Sequence, residues 1–289
     1  MPLLTNLNGQ ISETAYVSVL DRGFLYGDSV YEVVRTFHGR HFGLKEHLDR
    51  LRQSADYLYM EVPWTDVEIQ TEVEKTLAQA DWSDSYVRIV VSRGTESAIS
   101  LQPSLELQPN LLVVISSIPP EPVLSEIGVH LVIPDRLRNP KLALDPAAKT
   151  GNYLNNILAL LEAQQMGAED ALMLNDRGEL TEATTSNLWI VREGVVQTPP
   201  VEAGILQGIT RTFLLKILSD RNIPHEEIVL RPTDLSSVQE AFLSSSVRLL
   251  MPVRQFGSQS VANCPGPITR LLWQALLDEM EQHAIVSTI

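Results

Sequence analysis

Three prolines within four residues, in Ile118-Pro119-Pro120-Glu121-Pro122, constrain this chain more than any other feature. Each proline removes a backbone donor and locks φ, so neither a helix nor an interior strand passes through the segment. The chain is therefore expected to fold as an N-terminal domain over 1–117, a linker over 118–128 and a C-terminal domain over 129–289. A length of 289 residues suits two medium cores. With 44% hydrophobic and 20% charged residues, there is enough apolar side chain to fill both.

Hydrophobic periodicity changes several times along each part. Residues 11–20 read as strand and turn, Asp21-Arg22-Gly23 as a turn, and 29–37, rich in Val, Tyr and Thr, as a strand. From Leu44 the period becomes helical: Leu44, Leu48, Leu51, Ala55 and Leu58 share one stripe. A second helix over 65–80 opens on Thr65-Asp66-Val67-Glu68, a capping-box pattern. Residues 86–92 and 111–116 are strand-like. Beyond the linker come a strand over 128–133 and a helix from about Gly151 whose apolar face is Leu154, Ile157, Leu158, Leu161 and Ala163. Short strands over 171–196, a helix over 210–219, a strand over 241–245 and a last helix over 267–283 complete the reading. The class is α+β.

The formal net charge of −14, with Lys and Arg scattered, argues against nucleic acid and anionic membrane as partners. Cys264 is the only cysteine, so no intramolecular disulfide or cysteine-based metal site can form. The six histidines have no metal-ligand spacing, and no metal is expected. Apolar runs such as 111–115 are too short to span a bilayer, and residues 1–9 carry no secretory pattern. A cytoplasmic location is expected.

Several polar residues could carry chemistry. Lys149, among small neighbours just before a helix, has the uncrowded setting that an amine nucleophile needs, although alone it reads as a solvated loop lysine. Tyr153 lies one helical turn on. Glu182, at a strand end among hydroxyls, is placed to stay ionised. Gly208-Ile209-Thr210-Arg211 opens a helix, whose first amides favour an anion. Ser244-Ser245-Ser246 ends an apolar run with hydroxyls, and Arg50 lies beside a buried stripe where it must snorkel or find an anion.

In order, Asp21-Arg22-Gly23-Phe24-Leu25-Tyr26-Gly27-Asp28, Tyr31-Glu32-Val33-Val34-Arg35, Glu46-His47-Leu48-Asp49-Arg50-Leu51 and Lys149-Thr150-Gly151-Asn152-Tyr153-Leu154 resemble the fold-type IV, or class IV, pyridoxal-phosphate (PLP) enzymes. Leu180-Thr181-Glu182 with Ser186-Asn187-Leu188, Gly204 to Arg211 and Phe242 to Val253 extend the resemblance over nearly the whole chain. It implies a two-domain fold like that of D-amino acid aminotransferase. The implied cofactor is pyridoxal 5′-phosphate, held by Lys149 as a Schiff base. Glu182 falls at the carboxylate under the ring nitrogen, and Tyr153 at the tyrosine near the phenolic oxygen. Arg50, Ile209, Thr210, Ser245 and Ser246 match the phosphate cup, and Tyr31 matches a substrate-pocket aromatic. Family members are homodimers, so a homodimer is expected.

Within that family the subgroup signals conflict. Tyr31-Glu32-Val33-Val34 looks like the D-amino acid enzymes, but Ala98 and Ser100 stand where those carry an Arg-x-His carboxylate trap. Tyr86-Val87-Arg88 resembles the branched-chain enzymes, and Met251-Pro252-Val253 echoes the lyases. Arg88 or Arg35 could receive a substrate carboxylate instead. The favoured reading is transfer of an amino group from an aliphatic or branched-chain amino acid to a 2-oxo acid. The alternatives are a D-amino acid or R-selective amine transaminase, a 4-amino-4-deoxychorismate lyase and, outside enzymology, a non-catalytic PLP-binding protein.

Overall fold

The computed structural model describes residues 2–80, 82–119 and 122–286, with side chains described to residue 283; Pro120 and Glu121 of the expected linker lie outside the described residues. The chain divides into two compact units, Met1–Glu121 with Ala148–Asn152 and Glu281–Ile289, and Pro122–Ala147 with Tyr153–Met280.

The first unit contains β1 (Leu3–Leu7), β2 (Gln10–Ser12), α1 (Arg22–Tyr26), β3 (Ser29–Phe37), β4 (Arg40–His41), α2 (Leu44–Tyr57), α3 (Asp66–Ala78), β5 (Ser85–Ser92) and β6 (Asn110–Ser117). Its strands form a six-stranded sheet in the order β2-β1-β6-β5-β3-β4. Every pairing in it is antiparallel. The period-two pattern gives each strand a closed and an open face. Val87, Ile89 and Val91 of β5 and Leu111, Val113 and Ile115 of β6 are buried in one core with Leu44, Leu48, Leu51 and Ala55 of α2 and Ile69 and Val73 of α3. Tyr86, Arg88 and Val90 alternate to the other, half-buried face. The expected capping box is present: Thr65 accepts from the Glu68 amide while Glu68 accepts from the Thr65 amide.

Two expectations for this unit are revised. Only Gln10–Ser12 of the region around 11–20 is strand, and Asp21-Arg22-Gly23 starts a helix rather than a turn. Asp21 Oδ1 accepts from the Gly23 amide at 2.8 Å, which is an N-cap and commits the following residues to a helical turn.

The second unit contains β7 (Val129–Val132), α4 (Leu154–Gln165), β8 (Asp170–Leu174), β9 (Leu180–Ala183), β10 (Asn187–Arg192), β11 (Val195–Thr198), α5 (Ile209–Asp220), β12 (His225–Glu227), β13 (Glu240–Ser245), β14 (Leu249–Phe256), β15 (Gln259–Ser260) and, up to Met280, α6 (Pro267–Val286). The path β10-β13-β14-β7-β8-β9 returns on itself, because β9 also pairs with β10 through Glu182 and Asn187. This sheet is a closed barrel, which leaves no exposed edge in the ring. Leu131, Leu172, Leu188, Ile190, Leu243 and Val253 fill its core. Glu240 closes the barrel end of α6 by accepting from the amides of Ile268 (3.0 Å) and Thr269 (2.9 Å).

The helix expected from Gly151 begins at Leu154, and of its expected apolar face only Ala163 is buried. Asn156, Ala159 and Ala163 are inside, whereas Leu154, Ile157 and Leu161 are 64%, 50% and 48% exposed. Ala159 and Ala163 meet Val132, Ala168, Ala171 and Met173. Small side chains let the helix lie close on the strands, and a leucine face would hold it off. No described helix is long and apolar enough to cross a membrane.

Candidate active site

Lys149 is held as part of the first unit's sheet. β4 pairs only with Thr36 and Phe37, so the edge of β3 over residues 29–31 is left open. An open edge offers unpaired amides and carbonyls, and the lysine segment takes them. The Tyr31 amide donates to the Lys149 carbonyl (3.0 Å) and the Gly151 amide to the Ser29 carbonyl (2.8 Å), around an antiparallel bridge between Val30 and Thr150. From the other side the Lys149 amide donates to Ser54 Oγ at 3.0 Å, and that hydroxyl donates to the Arg50 carbonyl at 2.9 Å. This docking explains why the segment packs with the first unit rather than with residues 129–289.

The glycines of the motif follow from the same approach. A Cβ on Gly151 would lie 2.4 Å from Ser29 Oγ, and one on Gly27 would lie 2.7 Å from Asn152 Oδ1. Gly27 also has φ of 67°, a left-handed conformation that glycine adopts without strain.

The half-buried Lys149 side chain ends with Nζ 3.3 Å from the Tyr31 hydroxyl and 4.4 Å from its ring centre. The Arg88 guanidinium lies 3.8 Å over the same ring. Tyr31 pairs with Val90 and Val33 with Arg88, so both side chains rise from the half-buried face. Arg35 is engaged elsewhere: it is buried and donates through Nη2 to the Pro119 carbonyl at 2.8 Å.

Arg50 is buried against a carboxylate that sequence reading left without a role. Its Nε and Nη2 donate to the two oxygens of Glu32, each at 2.7 Å, and His47 Nδ1 lies 2.7 Å from Glu32 Oε2. Glu32 is fully buried, which alone would raise its pKa. The Arg50 charge, with His47 and the bonds from both, outweighs burial and lowers it to about 2. Burial also pushes His47 below the ordinary histidine value, against the pull of Glu32. The carboxylate only accepts, so the neutral imidazole carries its proton on Nδ1. The spacing of Glu32, His47 and Arg50 offers no sign of this contact, because the first is on a strand and the others on a helix.

In the second unit, Glu182 is 4% exposed at the strand pair that closes the barrel. Its carboxylate accepts from Arg138 Nη2 (2.8 Å) and Nε (3.2 Å), Asn187 Nδ2 (3.1 Å) and the Leu206 amide (3.1 Å). Arg138 in turn donates to Asn156 Oδ1 at 3.1 Å, and Asn156 donates to the Thr184 carbonyl at 2.7 Å. These four donors, two of them from the Arg138 cation, favour the charged form of a carboxylate. Arg138, in Asp135-Arg136-Leu137-Arg138-Asn139, is one charge among several in its stretch and carried no sequence signal. Tyr153 precedes the first turn of α4 and is half-buried.

α5 begins after Gly208 with no side-chain cap and no acid in its first turn, so its first amides point out with the positive end of the dipole. Ile209 and Thr210 are buried there, and a Cβ on Gly208 would lie 2.1 Å from Asn187 Oδ1. Ser245 ends β13 and Ser246 follows it in the turn to β14, while α5 packs against β13. Uncapped amides and hydroxyls suit a phosphate, as a buried ionised carboxylate suits a ring nitrogen bearing a proton. The residues present thus fit pyridoxal phosphate.

The amino-transferase class IV family model matches residues 29–256. A Methanocaldococcus jannaschii protein assigned as a branched-chain-amino-acid aminotransferase is 37% identical over 94% of both chains. A D-alanine aminotransferase of Listeria monocytogenes is 32% identical over 98% of this chain and 97% of its own. The branched-chain aminotransferase of Thermoproteus uzoniensis, solved with norvaline, is 31% identical and superposes with a TM-score of 0.86 over 93% of this chain and 91% of its own.

Proposed function

The chain belongs to the class IV aminotransferases and is a PLP-dependent transaminase, and from that premise we propose that its donors are aliphatic or branched-chain amino acids. Pyridoxal phosphate, when bound, supplies an aldehyde that condenses with amines and a ring that takes up the electrons of a broken Cα–H bond.

One observation carries the assignment of Lys149. Its backbone is tied on both sides, by β3 and by Ser54, while its amine projects to the Tyr31 hydroxyl. A fixed backbone that carries its amine on a flexible four-carbon stem suits a residue that must attach, release and then carry a proton. With the cofactor bound, Lys149 Nζ would be the base that takes the substrate Cα proton and the acid that gives it back. Glu182, paired with Arg138, would hold the proton on the ring nitrogen. Tyr153 would serve the phenolic oxygen. Ile209, Thr210, Ser245, Ser246 and Arg50 would hold the phosphate, and Arg50 is oriented by Glu32 and His47. Tyr31 lines the substrate pocket and Arg88 takes the substrate carboxylate. Arg88 suits this better than Arg35, which is occupied with Pro119.

The relatives named above support the substrate class, since one of the three is a branched-chain enzyme and a second is assigned as one. The D-alanine aminotransferase relative supports a second reading, a D-amino acid donor. Apparent kcat/KM for L-Leu, L-Val and D-Ala with 2-oxoglutarate distinguishes them; a preference for D-Ala overturns the first. Lys149→Ala is expected to abolish turnover and the covalent retention of cofactor after borohydride reduction. Full activity in that variant refutes the role of Lys149. The same reading makes the protein a cytoplasmic homodimer. The exposed Leu154, Ile157 and Leu161 stripe of α4 supports the dimer as apolar surface for a second copy.

A further inference from the structure

In the second unit, a buried indole links the start of α5 to the end of β13. Arg211, in the first turn of α5, is 1% exposed. A cation at that end of a helix opposes the dipole, so its burial there needs other partners. Its Nη2 donates to the Pro199 carbonyl at 2.9 Å and to Glu227 Oε2 at 2.5 Å, while Nε has no hydrogen-bond partner among the described residues. Its guanidinium carbon lies 6.0 Å from the ring centre of Trp189, within reach of the ring's π face. Trp189 is fully buried and stacks on Phe242 at 5.7 Å. Its Nε1 donates at 2.9 Å to Ser244 Oγ, the residue just before the Ser245-Ser246 turn. A buried indole N–H needs an acceptor, and here the acceptor is the strand end itself.

We propose that Trp189 is a positioning residue for the cofactor phosphate: through Arg211 on one side and Ser244 on the other it sets the spacing between the α5 amides and the Ser245-Ser246 hydroxyls. The proposal rests on the phosphate role given to those groups above. Neither Trp189 nor Ser244 is given any contact with the cofactor. A bond that spaces two halves of a phosphate cup affects ligands that carry the phosphate and spares those that lack it.

The test is a titration of apoenzyme with pyridoxal phosphate and, separately, with pyridoxal. Trp189→Phe keeps the stacked ring and removes the donor, and Ser244→Ala removes the acceptor. Each is expected to weaken pyridoxal phosphate by about tenfold, the effect of one buried hydrogen bond. The pyridoxal Kd should stay within about twofold. The double variant should be no weaker than either single one, because both remove the same bond. Equal losses for both ligands, or additive losses in the double variant, overturn the proposal. So does an unchanged pyridoxal phosphate Kd in Ser244→Ala, which applies even where Trp189→Phe does not fold. A wild-type protein that binds both ligands alike sinks the phosphate assignment itself, a different and recognisable result.

Discussion

The most consequential single residue outside the assigned cofactor groups is Glu32. It is an anion with no solvent contact, and it is tolerated because Arg50 and His47 supply three short hydrogen bonds. Removing the charge leaves Arg50 buried and uncompensated. Glu32→Gln is therefore expected to cost about 3–5 kcal/mol in stability, read by urea unfolding, the usual cost of breaking one side of a buried pair. A loss below about 1 kcal/mol, the range of exposed pairs, refutes this account. The pH dependence has a definite sign. His47 is lowered from 6.5, so the unfolded chain binds its proton first and stability falls as pH drops below 6.5. Glu32 is lowered from 4.5 to about 2, so its contribution is complete above 4.5 and is lost as pH falls towards 2. His47→Gln should remove the upper part of that acid loss and leave the lower part. An unchanged profile above pH 5 would show that His47 is not the group responsible.

At the scale of elements, the placement of Lys149, the proposed catalytic lysine, depends on strand pairing. Lys149 is not on a regular strand, yet three residues around it complete the edge of β3 that β4 leaves uncovered. Gly151 permits the approach, since any Cβ there meets Ser29 Oγ at 2.4 Å and the Gly27 carbonyl at 3.0 Å. Gly151→Ala is expected to push the segment off the edge and lower kcat by about a hundredfold, the scale of an ångström misplacement at a reacting group. Circular dichroism of the variant should stay near wild type, because the rest of the sheet keeps its pairs. A wild-type kcat contradicts the docking argument. Barrel closure has the same logic in the second unit. The Glu182–Asn187 pair that joins β9 to β10 also places the Glu182 carboxylate between Arg138 and Asn187.

For the whole molecule, the two units solve the edge problem differently: one is an open antiparallel sheet and the other a closed ring. Helix α4 leaves Leu154, Ile157 and Leu161 outside, one turn apart on a single stripe. The proposed homodimer makes use of this surface. Ile157→Glu with Leu161→Glu is expected to convert a dimer to a monomer by light scattering after size exclusion, with far-UV circular dichroism unchanged. A variant that elutes with the wild-type mass places the dimer contact elsewhere. A strongly negative chain, at −14, gains from apolar contact at a self-interface, where two like-charged copies meet.

Much of this was legible in the sequence. The strand over 29–37, the stripe Leu44 to Ala55 and the Thr65–Glu68 box are local patterns, written within a dozen residues by period and capping chemistry. The ordered motifs around Arg50, Lys149, Glu182 and Thr210 were likewise enough to find the family and its cofactor. Tertiary structure alone decided which partners surround those residues. Glu32 and Arg50, Arg138 and Glu182, and Trp189 and Ser244 meet across separate elements, and such pairs leave no periodic trace. Tertiary structure also turned α4 over. Hydropathy favoured its leucines as the buried face, but close helix-to-strand packing selected Ala159 and Ala163. Local spacing determines what a segment can become; which of its faces is buried, and what its charges meet, is set by the shape of the elements it packs against.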